Sequence, residues 1–257
     1  MPPYIKGNQL GRGSFGQVFA GVRSKDGISV ALKEIPKSHV RRYAFIDGRQ
    51  VPVEMFLMKK VRNIPGVVQF YEWFDTRDLF VIVMERRASF ISLREYVHLC
   101  NNCLTERTAQ KIISQVSFTL YSMVAVGVFH GDVKSENILI DPDTMETRII
   151  DFGCADVIRV GVYDKFLGTQ SIQPPEMLRH CRYQAEPATV WFVGLLLFFL
   201  LTGAMPFNNS IDIFRCSFRC PRHLTLVCKD FLYKCLAADP KKRMSLLSVL
   251  NHTFLSS

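Results

Sequence analysis

The stretch VFHGDVKSENILI, residues 128 to 140, has apolar ends and a crowded polar middle. Buried polar groups are almost always hydrogen-bonded, so a chain tolerates such a middle only where these groups bond to one another or to a ligand. The stretch therefore predicts a functional loop between apolar segments. Its polar side chains include His130, Asp132, Lys134, Glu136 and Asn137.

A second polar stretch, IIDFGCAD at residues 149 to 156, places Asp151 directly after a short apolar run. The first stretch already supplies a carboxylate on Asp132, an ammonium on Lys134 and a carboxamide on Asn137. Phosphoryl transfer requires such a set: a carboxylate that positions a hydroxyl, oxygen ligands for Mg²⁺, and positive charge near the migrating group.

Upstream, LGRGSFGQVFAG at residues 10 to 21 contains a GxGxxG pattern. The pattern lies between two β-rich runs rather than before a helix. This context disfavours a dinucleotide-binding fold and favours a hairpin whose backbone N–H groups cover phosphates. An ordinary flexible hairpin has the same pattern, so the motif alone is weak. Its glycines are Gly11, Gly13 and Gly16.

A lysine and a glutamate complete the set. Lys33 ends the strand-like VALK, and Glu54 lies in the helical pattern VPVEMFLMKKV at residues 51 to 61. A cation that contacts nucleotide phosphates needs an anion to hold it, and a Lys–Glu pair across a strand and a helix provides one. Each residue alone fits an ordinary surface or loop role, but their combination in this order predicts phosphoryl transfer.

The sequence pattern changes near residue 87, from short runs typical of β-strands to longer stretches typical of helices. We predict an α+β fold of two lobes: a small β-rich N-lobe with one main helix at residues 1–87, and a larger, mostly helical C-lobe at residues 88–257. A hinge is expected at about 84–89. The predicted strands cover 17–23, 28–34, 67–74 and 79–85, and the predicted helices cover 51–61, 105–125, 190–201, 226–237 and 245–250.

Composition limits the class of protein. With 48% hydrophobic and 21% charged residues, the 257-residue chain can bury a substantial core. The net charge of +9 is spread over scattered Lys and Arg, so we expect no nucleic-acid binding. The N-terminus MPPYIKGNQL lacks an apolar signal core, which predicts a cytoplasmic location, with the nucleus also open. The eight cysteines, including the CxxC of Cys100 and Cys103, are then expected to be reduced thiols.

One segment, taken alone, is compatible with a transmembrane helix. VWFVGLLLFFLLTGAMPF, residues 190 to 207, carries no charge and reaches the lower end of transmembrane length. An all-round apolar helix in the centre of a large domain has the same composition. The segment contains two glycines and a proline near its end, and no polybasic flank follows. We therefore predict a buried helix and no membrane association.

With these motifs, the chain resembles the protein kinase family along nearly its whole length, and within that family the Pim serine/threonine kinases. The resemblance to Pim kinases rests on the stretches GRQVPVEMFLMKKV, MERR, SENILID, VYDKFLGTQSIQPPE and ATVWFVG. It implies a serine/threonine protein kinase that uses ATP and Mg²⁺, acts on protein or peptide substrates and is a monomer. The alternative is a catalytically weak or silent pseudokinase that serves as a scaffold.

The resemblance also implies roles for individual residues. Asp132 would orient the attacking hydroxyl and accept its proton, Lys134 would stabilise the γ-phosphate, and Glu54 would hold Lys33 against the α and β phosphates. Mg²⁺ would be held by Asn137 and Asp151. Glu176 would pair with Arg243 inside the C-lobe. The implied nucleotide-binding residues are Leu10, Gly11, Gly13, Gly16, Val18, Ala31, Lys33, Met84, Glu85, Arg87 and Leu139.

The chain departs from the family at three places. The arginine that normally precedes the catalytic aspartate, and pairs with a phosphorylated activation segment, is Gly131 here. We expect activity without such phosphorylation, and a catalytic loop loosened by about 0.5–1 kcal/mol of backbone entropy. Pim kinases carry proline at the position of Arg87, and proline has no backbone N–H. Arg87 has one, so we expect it to donate a hydrogen bond to adenine.

The third departure concerns substrates. Pim kinases prefer basic peptides, and Glu95 and Glu136 match acidic positions of that family. Other positions where acids are expected carry neutral residues, and the chain is itself basic. A preference for basic peptides, weaker than that of the family, is the resulting expectation. The neutral residues are Ser92, Ala204, Asn208 and Asn209.

Overall fold

The computed structural model describes residues 3–13 and 16–256. It divides into two compact units, an N-terminal unit of Met1–Phe90 and a C-terminal unit of Ile91–Ser257. The N-terminal unit is rich in sheet and the C-terminal unit is mainly helical, which confirms the predicted fold class.

A five-stranded antiparallel sheet forms most of the N-terminal unit. Its strands lie in the order β1-β2-β3-β7-β6, and every neighbouring pair is antiparallel. β3 and β7 are interior strands and are rich in β-branched and other apolar residues, as is typical of buried strands. The strands are β1 (Tyr4–Gly13), β2 (Gly16–Arg23), β3 (Ser29–Pro36), β6 (Phe70–Asp75) and β7 (Leu79–Glu85).

A short hairpin precedes the single helix of this unit. It consists of β4 (Tyr43–Ile46) and β5 (Arg49–Pro52), which pair in antiparallel fashion. The hairpin was not predicted, and its second strand takes the first two residues of the helix expected at 51–61. Helix α1 (Val53–Val61) begins after Pro52 instead, because the fixed φ of proline suits a position just before a helix.

Short strands frame the polar loop at the start of the C-terminal unit. β9 (Val128–Phe129) ends directly before the loop, and β10 (Ile138–Ile140) follows it. β10 pairs with β11 and with β8, and β9 pairs with β12, so both ends of the loop are fixed by backbone ladders. The remaining strands are β8 (Ile91–Ser92), β11 (Thr147–Ile149) and β12 (Asp156–Val157).

Helices make up most of the C-terminal unit. Thr105 caps the longest one, since its side chain accepts a hydrogen bond from the backbone N–H of Thr108. The helices are α2 (Leu93–Leu99), α3 (Glu106–Ala125), α4 (Pro175–His180), α5 (Ala185–Thr202), α6 (Ser210–Arg215), α7 (Leu226–Cys235), α8 (Leu246–Leu250) and α9 (Thr253–Ser256).

Helix α5 contains most of the apolar segment at 190–207. Within the described residues it is the one helix long and apolar enough to cross a membrane, with a mean hydropathy of 1.8, and 78% of its residues are buried. Trp191 stacks on Phe207 with ring centroids 5.4 Å apart, and Trp191 Nε1 donates to the carbonyl of Ile172. Such burial is that of a core helix within its own unit.

A buried ion pair holds the base of α4. Both amino groups of the Arg243 guanidinium donate to the Glu176 carboxylate, at 2.7 and 2.5 Å, and Arg243 Nε donates to the carbonyl of Ala237 at 2.8 Å. The guanidinium also lies 5.0 Å from the Trp191 ring centroid. The arginine side chain is fully buried and the glutamate is nearly so. Each of the eight cysteines is a thiol rather than half of a disulfide bond.

Candidate active site

In the N-terminal unit, a lysine and a glutamate form a buried ion pair. Lys33 lies on β3 and Glu54 in the first turn of α1, and Lys33 Nζ is 2.5 Å from Glu54 Oε1. Their side chains are only 8% and 7% exposed. A buried ammonium needs a partner of opposite charge, so the carboxylate fixes the position of the amine.

The residues predicted to contact adenine in this unit belong to neighbouring strands. Ala31 on β3 pairs with Met84 on β7, and both are buried. Val18 on β2 pairs with Lys33 and is half-buried. These pairings bring small and apolar side chains to adjacent positions of one sheet.

The glycine-rich stretch includes the end of β1 and the start of β2, where Gly13 pairs with Gly16. Gly11 and Gly13 are exposed, with open space where a Cβ would be, and Leu10 is 49% exposed. At Gly16, a Cβ would collide with the backbone carbonyl of Glu34, so only glycine fits there. Ser14 and Phe15 of this stretch lie outside the described residues.

The segment at 84–89 consists of the last two residues of β7 and the four residues that follow. The backbone N–H of Gln69 donates to Glu85 Oε1 at 2.8 Å, which fixes the end of this strand. Arg87 is exposed, its Nε lies 3.4 Å from Glu85 Oε2, and its guanidinium lies 5.4 Å from the Phe90 ring centroid. The Arg87 side chain therefore folds along its own segment.

In the C-terminal unit, Asp132 is the centre of a buried polar network. Its Oδ1 accepts from the backbone N–H of Thr169 at 2.7 Å, and its Oδ2 accepts from Asn137 Nδ2 at 2.9 Å. Lys134 Nζ lies 2.9 Å from the same Oδ2 and donates to Thr169 Oγ1 at 2.5 Å. Three donors therefore hold the carboxylate in one orientation, which is the preorganisation that a catalytic base needs.

Asn137 and Asp151 offer oxygen atoms of the kind that Mg²⁺ prefers. Asn137 directs its amide nitrogen toward Asp132, since Nδ2 also donates to the Asp132 carbonyl at 2.8 Å, and this leaves the amide oxygen as its ligand atom. Asp151 has a left-handed backbone with φ +63°, and its Oδ1 accepts from the N–H of Gly153. Such strain in a non-glycine residue is frequent at functional sites.

His130 supports the loop from beneath. Its Nδ1 accepts from the backbone N–H of Asp132 at 3.3 Å, and its Nε2 lies 3.0 Å from the carbonyl of Ile150. Burial lowers the pKa of His130, which keeps the imidazole neutral. A neutral ring with its proton on Nε2 satisfies both contacts, so His130 positions the loop.

Gly131 is buried and has a left-handed backbone with φ +78°. That conformation costs a residue with a side chain roughly 1–2 kcal/mol. A Cβ here would lie 2.6 Å from the carbonyl oxygen of Cys154. The loosening expected from the sequence is therefore offset, because glycine suits this backbone better than any other residue.

A cluster of rings holds the segment between Asp151 and Glu176. Tyr163 pairs with Tyr183 through two backbone hydrogen bonds of 2.8 and 3.0 Å, and their rings stack 5.2 Å apart. Tyr163 Oη donates to the carbonyl of Val157 at 2.9 Å. We call the group the aromatic cluster; it consists of Phe129, Tyr163, Phe166, Tyr183 and Phe192.

The predicted site residues thus fall into two groups, each with its own contacts. Asp132, Lys134 and Asn137 lie within one network, and half-buried Leu139 lies on β10 beside them in sequence. Sequence reasoning missed Thr169, which contacts two of the three. The only signal for it is a Gly-Thr pair in LGTQSIQPPE, a pattern without a distinctive residue.

Comparison with known proteins identifies the family of the chain. Residues 4–255 match the family described as Protein kinase domain. Serine/threonine-protein kinase prk-2 of Caenorhabditis elegans is 37% identical over 96% of this chain and 57% of its own length. Serine/threonine-protein kinase pim-2 of Danio rerio is 30% identical over 98% of this chain and 84% of its own length.

A plant relative extends the comparison. CBL-interacting protein kinase 28 of Oryza sativa subsp. japonica is 31% identical over 96% of this chain. The chain spans 57% of the length of that protein, as it does of the worm kinase. Since the domain match covers nearly all of the sequence and these relatives are protein kinases, the chain belongs to the protein kinase family, among its serine/threonine members.

Proposed function

We propose that this chain is an active serine/threonine protein kinase that transfers the γ-phosphoryl group of MgATP to protein hydroxyls without phosphorylation of its activation segment. The observation that carries the proposal is the network around Asp132, whose carboxylate is held by Thr169, Asn137 and Lys134. Three donors orient this buried carboxylate, which is the arrangement that a general base needs.

The residues have distinct tasks in this proposal. Asp132 orients the substrate hydroxyl and accepts its proton as the new P–O bond forms and the bond from the γ-phosphorus to the leaving ADP breaks. Lys134 places positive charge beside the transferred phosphoryl group. Lys33 contacts the α and β phosphates, and Glu54 keeps its ammonium in place through the 2.5 Å ion pair. Val18, Ala31 and Leu139 are the residues proposed to supply apolar contacts for adenine.

The donor set fits Mg²⁺. Asn137 and Asp151 would hold the ion through an amide and a carboxylate oxygen. Among the residues that the structure describes, no three His, Cys, Asp or Glu side chains lie close enough together to bind a metal ion by themselves. This is consistent with the Mg²⁺ of a kinase, which takes further ligands from the nucleotide phosphates. When bound, Mg²⁺ neutralises charge on those phosphates.

The test of the proposal is transfer of labelled phosphate from MgATP to a serine-containing peptide by the purified chain, with the Asp132→Asn variant measured beside it. Transfer by the unaltered chain, and its loss in the variant, supports the kinase. Equal background from both proteins would leave the scaffold as the remaining function.

Independence from phosphorylation is supported by how the activation segment is held. The residue before Asp132 is Gly131, which has no side chain to pair with a phosphate. The segment is instead fixed by the aromatic cluster and by the contacts of Thr169 with Asp132 and Lys134. All of these contacts form between unmodified residues.

Phosphatase treatment is therefore expected to leave the rate of peptide phosphorylation unchanged within about twofold, because no phosphate takes part in ordering the segment. The chain is treated with a broad-specificity phosphatase, and mass spectrometry verifies that Tyr163, Thr169 and Ser171 are unmodified. A mock-treated sample is the control. Abolished activity after treatment would contradict this part of the proposal.

Arg87 is proposed to donate its backbone N–H to the adenine ring. Arg87 has a backbone N–H at a position where Pim kinases have proline, which lacks one. The side chain is exposed and folds toward Glu85 and Phe90, so the contact with adenine depends on the backbone alone.

Arg87→Pro is expected to weaken ATP binding about two- to tenfold, the effect of losing one hydrogen bond. Arg87→Ala is the matched control, because it removes the same side chain and keeps the N–H, and its Kd should equal that of the unaltered chain. Calorimetric titration with a non-hydrolysable ATP analogue measures both. An equal Kd for the two variants would refute the hydrogen bond.

We also propose that protein substrates with basic residues near the acceptor are favoured only weakly. Two of the expected acidic positions serve as helix caps instead. Ser92 accepts from the N–H of Glu95 at the start of α2, and Asn209 accepts from Ile211 and Asp212 at the start of α6. Because the caps at these positions are neutral, Glu95 and Glu136 are the carboxylates that remain among the positions expected to attract a basic peptide.

A further inference from the structure

One of those two carboxylates already has a partner within the chain. Arg94 lies on α2, and Glu136 lies in the short 3₁₀ turn that follows Lys134. Arg94 Nη1 donates to Glu136 Oε1 at 2.7 Å, and the other oxygen of Glu136 accepts from Ser135 Oγ at 3.0 Å. Both oxygens of the carboxylate are therefore engaged.

The ion pair borders a cavity of about 120 Å³ in the C-terminal unit. Lys134 and Thr169, which contact Asp132, line the same cavity, so it adjoins the proposed catalytic residues. Its other walls are largely apolar and include Phe199 of α5. The cavity therefore offers a concave surface to a substrate segment next to the phosphorylated hydroxyl.

The charges of this cavity do not suit a basic side chain. Its charged residues are Arg94, Lys134 and Glu136. Lys134 is already paired with Asp132, and the only anion among the three is paired with Arg94. A substrate arginine would have to displace one guanidinium while remaining close to a second cation.

Ser92 contributes to this arrangement. By capping α2 it fixes the first turn of the helix, in which Arg94 and Glu95 are consecutive. An aspartate at 92 would add a negative charge near the ion pair, whereas serine caps the helix without one. The local sequence thus supplies a cation where the cavity would otherwise be acidic.

We propose that Arg94 acts as a built-in substitute for a substrate arginine and sets the substrate class of this kinase: it occupies the Glu136 carboxylate and thereby suppresses selection of arginine-containing peptides. The inference rests on the proposed function for its biological meaning. The occupancy of Glu136, however, is a binding property that can be measured without phosphate transfer.

Replacing Arg94 should therefore raise the affinity for basic peptides. The ion pair is exposed, with side chains 63% and 43% accessible, so it is weak and a substrate can compete for it only in part. Arg94→Ala frees the carboxylate and removes the repelling cation. We expect peptide affinity to rise about fivefold, and the gain to shrink at high salt, because exposed charges are screened.

The experiment uses two fluorescent peptides that share one serine and differ only in having arginines or alanines upstream of it. Fluorescence anisotropy gives the Kd of both for the unaltered chain, Arg94→Ala, Arg94→Lys and the double variant Arg94→Ala with Glu136→Gln. Arg94→Ala should shift the ratio of the two Kd values about fivefold in favour of the arginine peptide. Arg94→Lys should leave the ratio unchanged, and the double variant should return it to the value of the unaltered chain.

Arg107→Ala is the matched control, since Arg107 is an exposed arginine of the same unit on α3 and its loss changes net charge equally. An unchanged ratio in Arg94→Ala, or the same shift in Arg107→Ala, would overturn the inference. If the shift appears while no protein variant phosphorylates either peptide, the kinase proposal fails and the role of Arg94 stands. If phosphorylation occurs and the ratio does not shift, the kinase proposal stands and the role of Arg94 fails.

Discussion

Replacing Asp132 with asparagine is expected to lower kcat for peptide phosphorylation about 10²- to 10⁴-fold, the usual effect of removing a general base. Asparagine keeps the size of the side chain but cannot accept the proton of the substrate hydroxyl. The KM for ATP should change little, because the proposed nucleotide contacts belong to other residues. A steady-state assay over a range of ATP and peptide concentrations separates the two constants.

Two controls make the result specific. Asp143→Asn makes the same chemical change at an exposed position of the same unit, and kcat should be unaffected. The asparagine variant at 132 also has a single acceptor oxygen for three donors, so its melting temperature must be compared with that of the unaltered chain. A folded Asp132→Asn protein with undiminished kcat would show that Asp132 is not the base.

The largest effect on stability is expected from Glu176→Gln. The substitution leaves the Arg243 guanidinium fully buried without a compensating charge. Removing one partner of a buried ion pair typically costs 3–5 kcal/mol. The carbonyls of Ala237 and Pro187 still accept from Arg243, but they carry no net charge. The free energy of unfolding of the C-terminal unit should fall by about that amount.

Urea denaturation followed by tryptophan fluorescence measures this loss. Trp191 lies against Arg243 and reports directly on the site, and a Trp73→Phe background removes the signal of the other tryptophan. Lys234→Ala is the control, because it breaks an exposed ion pair on α7 that should contribute less than about 1 kcal/mol. Equal destabilisation by the two substitutions would contradict the importance of burial.

Much of the fold follows from local patterns. The cap at Thr105 and the polar stretch between β9 and β10 are signalled by residues adjacent in sequence. The Lys33–Glu54 pair could also be predicted from the sequence, because a lysine on a strand that contacts nucleotide phosphates is typically held by a glutamate on a helix. Burial of α5 followed once the rest of the chain indicated a globular domain.

Other features depend on contacts that no local pattern encodes. The β4–β5 hairpin lacks strong alternation, and its turn is specified mainly by Asp47 and Gly48, both with positive φ. Arg94 and Glu136 are separated by 42 residues, so their pairing is visible only after folding. The sequence showed Glu136 as an available acid, and the fold shows that it is occupied.

The left-handed backbone of Gly131 bears on how this chain can evolve. A single codon change back to arginine would place a Cβ 2.6 Å from the Cys154 carbonyl, at φ +78°, before the new guanidinium could reach any phosphate. Such a protein would lose stability unless the backbone at Cys154 withdrew. The local backbone therefore selects glycine at residue 131 for a steric reason that is independent of phosphate.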